Sequence, residues 1–134
     1  MIFPDTNILV YATVNQDVAK QKISEKIISE NIGGNLVISP LILSEYIYVM
    51  TKLCIDEQYI RKSVDIFRKC VYSNIDADLV YSSFLLGQKT MMKKNINDLI
   101  HLKYAEKYAE VIYTFDENFK KLDNHSSIDI KILK

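Results

Sequence analysis

Tryptophan is absent from this 134-residue sequence, and proline and histidine occur only twice each. Glycine appears three times and forms no phosphate-cradling loop, which disfavours nucleotide triphosphate hydrolysis. The two cysteines, Cys54 and Cys70, make no CxxC pair, and the expectation is reduced, buried thiols in a cytoplasmic protein. His101 and His125 pair with no cysteine at ligand spacing, which disfavours zinc. No apolar run approaches the ~20 residues that cross a bilayer, and Met1-Ile2-Phe3-Pro4 does not read as a signal peptide, so no membrane partner is expected. Net charge is absent too: 17 basic residues balance 17 acidic ones. Taken alone, that balance argues against a nucleic-acid binder, for which a positive excess is expected. Arginine is limited to Arg61 and Arg68. Lys89, Lys93, Lys94, Lys103 and Lys107 cluster along the chain, as a local basic surface or as solvated helix faces.

What is present is the make-up of a globular domain, 49% apolar or aromatic and 25% charged. The length suits one domain over residues 1–134. Ile2-Phe3 reads as a strand leading through Asp5 into a helix. Val18 to Glu30 carries Ala19, Ile23 and Ile27 at four-residue spacing, a surface helix with one apolar stripe. Gly33-Gly34 ends it. Leu36 to Ser39 reads as a buried strand, and Pro40 opens a helix to about Lys52, so apolar that it should lie deep in the protein. Asp56 to Cys70 is another helix, with Ile60, Val64 and Phe67 on one side. Val71 to Ile75 reads as a strand, Ala77 to Lys89 and Asn97 to Tyr108 as helices. Val111 to Thr114 is a strand, Glu117 to Leu122 a short helix, and Ile128 to Leu133 an edge strand. Alternating strands and helices predict an α/β domain, its mainly parallel sheet of about five short strands flanked by helices.

Four acids stand out. Asp5 and Asp116 follow strands and Asp98 sits in a first helical turn, so each has a plain role as a cap or a dipole partner. Glu45 lacks that explanation, because its helix is apolar and no sequence feature designates a buried cationic partner. In open α/β sheets ligands bind beyond the carboxyl ends of the strands. Helical side chains lean toward their N-terminus, so Glu45 points to the same rim. Converging carboxylates call for a positive ion, and oxygen ligands suit Mg²⁺ or Mn²⁺. Such ions activate water against phosphodiesters, and no Ser–His or Cys–His constellation competes. His101, three residues after Asp98, reads as a half-exposed structural histidine, with support of the metal-holding acids as the alternative.

The motifs also carry a resemblance. Asp5-Thr6-Asn7-Ile8-Leu9-Val10-Tyr11 resembles the opening motif of PIN domains, and Ser39-Pro40-Leu41-Ile42-Leu43-Ser44-Glu45-Tyr46 the second. Asn97-Asp98-Leu99-Ile100 with Ala105 is similar to the third, and Thr114-Phe115-Asp116-Glu117-Asn118-Phe119 to the fourth. Each is weak alone; the ordered set is specific. The resemblance implies a Mg²⁺- or Mn²⁺-dependent endonuclease of single-stranded RNA, with Asp5, Glu45, Asp98 and Asp116 as catalytic and metal-holding residues. Asn7 and Thr114 would support them, Thr114 projecting to the same side as Asp116. Short stand-alone members are most often toxins of toxin–antitoxin pairs, similar to the VapC group, which implies a small antitoxin partner and a homodimer. Pro4 departs from the usual apolar residue before the first acid, and a further acid near the fourth motif is Glu117 or nothing. Two rivals are a catalytically silent PIN-like module that binds RNA or protein, and an RNA-processing nuclease without an antitoxin. A third, an aspartyl phosphotransferase, needs an acid where Asn7 stands.

Overall fold

The computed structural model describes Met1 to Lys134. Its sheet has three short parallel strands, β1 (Ile2–Pro4), β2 (Val111–Thr114) and β3 (Asp129–Ile132), in that order across the sheet. Six α-helices surround it: α1 (Thr6–Thr13), α2 (Val18–Asn31), α3 (Pro40–Lys52), α4 (Glu57–Phe67), α5 (Ala77–Thr90) and α6 (Ile96–Tyr108). Short 3₁₀ turns cover Arg68–Cys70, Lys93–Asn95 and Glu117–His125. The α/β class and the parallel sheet agree with expectation; the strand count of about five does not.

The two missing strands have physical reasons. Leu36 forms one parallel bridge to Ile2, held by Ile2 N–H to Asn35 O and Val37 N–H to Ile2 O. The ladder stops there because Ser39 turns to cap α3, its hydroxyl accepting from Ile42 N–H at 3.0 Å, and Pro40 begins the helix. Leu36, Val37 and Ile38 are buried all the same, so a buried apolar run needs no ladder of its own. After Cys70, whose carbonyl accepts from Ile38 N–H, residues 71–75 form no ladder, and Ser73 bonds two tyrosine hydroxyls of α6 instead. The Ser73 carbonyl accepts from Tyr104 Oη, and its hydroxyl bonds Tyr108 Oη.

Helix ends follow their caps. Asp17, Asp56 and Asp76 each cap a helix through a carboxylate oxygen. The α2 stripe is offset by one residue from the sequence reading: Ser24 and Ile28 are buried, with Ile27 partly so, while Ala19 is exposed. The helix expected over Asp56 to Cys70 is α4 tightening into a 3₁₀ turn. Helix α3 does not lie deep: Ile42, Tyr46 and Met50 face the core, but Ile47 and Tyr48 face outward. Cys70 is buried as expected; Cys54 is exposed, and both thiols are free. No helix is long and apolar enough to cross a membrane.

Candidate functional site

The carboxyl ends of β1 and β2 lie side by side, with Pro4 paired to Tyr113. Asp5 and Thr114, one residue further along each strand, are therefore neighbours. The Thr114 hydroxyl donates to Asp5 Oδ2 at 2.8 Å and accepts from Asp116 N–H at 3.0 Å. A single hydroxyl thus ties together the segments carrying two of the four acids. Asp5 Oδ1 accepts from Thr6 N–H at 2.8 Å and caps α1, while Asp116 Oδ1 accepts from Asn118 N–H at 2.9 Å and caps the following 3₁₀ turn. The capping roles are real, and the same residues face a common pocket.

That pocket, about 580 Å³, is lined by Asp5, Glu45, Asp98 and Asp116 among others, from four separate segments of the chain. Asn7 also lines it, exposed; Thr114 stands behind, fully buried. Glu117 is exposed and not among the lining residues. Neither lysine nor arginine lines it. Lys103 and Lys107 border a different cavity with Asp76, Asp78 and Glu106, while Lys89, Lys93 and Lys94 are exposed.

Sequence reasoning missed the partners of Glu45. Its side chain is 28% exposed, and Oε1 accepts from Thr6 Oγ1 at 2.6 Å and contacts His101 Nε2 at 2.8 Å. Asn97 Nδ2 donates to Oε2 at 3.2 Å. His101 is not half-exposed as expected but 1% exposed, packed beside the Phe3 ring at 5.8 Å. Thr6 and Asn97 adjoin Asp5 and Asp98 in sequence, and His101 lies one helical turn beyond Asp98; those spacings were the available signal. Tyr48 was missed as well, a pocket-lining side chain whose residue is 65% exposed.

Electrostatics separate the acids. Burial pushes the Asp5 carboxyl above the ordinary carboxylate range, although His101, Thr114 and Thr6 pull the other way. Asp98 is pushed up to about 6, by burial first and then by the charge of Asp5, with Asp116 and Glu45 adding to it against His101. For Glu45, burial is the largest influence and acts upward, yet the hydrogen bond and charge of His101, with the Thr6 and Asn97 bonds, hold the carboxyl below its usual value. No three His, Cys, Asp or Glu side chains form a ready-made ligand cage. The donor set is instead four carboxylates around an open pocket, with an excess of negative charge felt at Asp98. That chemistry fits a hard divalent cation, since Mg²⁺ takes one or two carboxylates and keeps several waters.

Three comparisons bear on this arrangement. The family model described as the PIN domain matches residues 2–125, and the chain belongs to that family. Among solved structures, the chain is similar to one described as VapBC2 from Rickettsia felis bound to a DNA fragment from their promoter. The TM-score is 0.70 at 23% identity, with all of both chains covered, which establishes a shared fold. No curated protein matches.

Proposed function

We propose that the chain, as one PIN domain over residues 1–134, is a Mg²⁺- or Mn²⁺-dependent endoribonuclease that cuts single-stranded RNA by activating water. The observation that carries this reading is the gathering of four carboxylates in one pocket lined by no lysine or arginine. Asp5, Asp98 and Asp116 hold the cation, and Glu45 holds it or its water. A bound divalent ion supplies polarisation of the attacking water and of the leaving oxygen. The chain's own residues do the rest: Thr114 fixes Asp5 and the backbone of Asp116, and the exposed Asn7 amide stands where a phosphate or ribose can be hydrogen-bonded. The exposed Tyr48 offers a face on which a base can stack.

The protein acts, on this reading, as the toxin of a toxin–antitoxin pair, in the cytoplasm, as a homodimer restrained by a small antitoxin. Support is the full-length likeness to a chain of VapBC2. The test is incubation with a panel of RNAs in Mg²⁺, in Mn²⁺ and in EDTA. Cleavage in both metals and none in EDTA is expected. Cleavage in EDTA sinks the mechanism, and no cleavage of any RNA puts a silent binding module ahead. For the toxin role, expression alone should arrest growth and Asp98→Asn should not; equal growth of both strains counts against it.

A further inference from the structure

The two oxygens of Glu45 are not equivalent. Oε1 meets two donor groups, the Thr6 hydroxyl at 2.6 Å and His101 Nε2 at 2.8 Å. A carboxylate offers about two acceptor positions per oxygen, so Oε1 is filled. Oε2 has one partner, the exposed Asn97 amide at 3.2 Å, and keeps a position free. The histidine is buried, and its other nitrogen, Nδ1, is buried with no hydrogen-bond partner. A proton on Nδ1 would be an orphaned donor, whereas a bare lone pair is the more tolerable deficit. A bare Nε2 would also set its lone pair against the lone pairs of Oε1. Nε2 therefore carries a proton, and the ring donates to Glu45.

We propose that His101 is a positioning residue for this pocket: with the Thr6 hydroxyl it occupies Glu45 Oε1 and leaves Oε2 as the one atom Glu45 presents to a cation or its water. This rests on the divalent-nuclease reading above. The imidazole is well placed for the task, wedged beside the Phe3 ring and carried by the same helix as Asp98, one turn further on. Glu45 then acts through one oxygen, its orientation set by groups adjoining Asp5 and Asp98. Movement of any of the three helices α1, α3 or α6 would be felt at Oε2.

Long-range ¹H–¹⁵N NMR of the labelled wild-type protein reads the geometry without any variant or metal. A proton on Nε2 is expected; a bare Nε2 overturns the proposal. Titration calorimetry with Mn²⁺ then compares His101→Gln, which keeps a donor at similar reach, with His101→Leu, which keeps only bulk. The Leu variant should lose about 10–100-fold in Mn²⁺ affinity, the usual cost of removing a partner that orients a ligand. The Gln variant should stay within a few-fold of wild type, and RNA cleavage should follow the same order. Equal affinities in the two variants overturn the positioning role, as does a loss in Leu that merely tracks its unfolded fraction in urea. Wild-type protein that cuts RNA in EDTA overturns the divalent reading, and the NMR spectrum distinguishes that failure from a wrong tautomer.

Discussion

Replacing Thr114 by valine keeps the shape of a fully buried side chain and deletes one hydroxyl. That hydroxyl donates to Asp5 Oδ2 and accepts from Asp116 N–H. A hydrogen bond to an ionised group contributes about 1.5–3 kcal/mol, and the Asp116 N–H adds a smaller loss because water can reach that half-buried residue. The extra buried methyl returns about 0.8 kcal/mol. The net expectation is about 2 kcal/mol of destabilisation at neutral pH, roughly 6–8 °C in Tm for a domain of this size. The loss should depend on pH in a definite direction. Asp5 already has a raised carboxyl in the folded state, so its charge burdens the fold above that value and the burden lifts as pH falls through it. Without the Thr114 donor the burden grows, so the cost of valine is greatest where Asp5 is ionised and shrinks as pH falls through its folded-state value. Thr114→Ser keeps the hydroxyl and loses a methyl, a cost of about 1 kcal/mol with no such pH dependence. Urea unfolding of the three proteins across a pH series decides the matter. A valine variant as stable as wild type, or one whose loss parallels that of serine across the series, means that the Thr114 hydroxyl does not support the Asp5 charge.

Other outcomes follow from the same geometry. Asp5→Asn should keep the α1 cap, because Asn and Asp cap comparably, yet abolish RNA cleavage and weaken Mn²⁺ binding seen by calorimetry; wild-type cleavage would remove Asp5 from the site. With Asp98 at about 6, protons compete with the cation, so Mg²⁺ affinity should fall as pH drops from 7.5 through about 6, and a flat calorimetric profile over that range would contradict it. Tyr48→Ala should raise KM for RNA about tenfold with kcat little changed, while Tyr48→Phe retains the wild-type value, since stacking a base is worth about 1–3 kcal/mol; steady-state kinetics on one short RNA separate the two.

The acids were legible because the chemistry fixes where they stand. Asp5 and Asp116 follow strand ends, and parallel strands bring such ends to one rim, so order along the chain translated into proximity. Their capping roles, visible in the same residues, turned out to coexist with facing the pocket. The His101 pairing was only partly legible: its place one turn after Asp98 hinted at a supporting role, but Glu45 lies 56 residues away and nothing in either motif names the other. The apolar character of α3 misled for a related reason. Ile47 and Tyr48 count as apolar in the pattern, yet they lie on its outward side. Leu36 to Ile38 looked like a strand because burial and strand pairing give the same apolar run, and only the Ser39 cap explains why one bridge forms instead.

Thermal melts in EDTA and in rising Mg²⁺, for wild type and Asp98→Asn, test whether the four acids bind a divalent cation. A site that binds only the folded protein should stabilise wild type by about 2.7 kcal/mol at a hundredfold excess over its dissociation constant. Asp98→Asn should respond much less and should be no less stable than wild type in EDTA, because it removes a charge that its neighbours disfavour. A wild-type Tm that does not move with Mg²⁺ or Mn²⁺, or one that rises equally in Asp98→Asn, means that the acids hold no such cation.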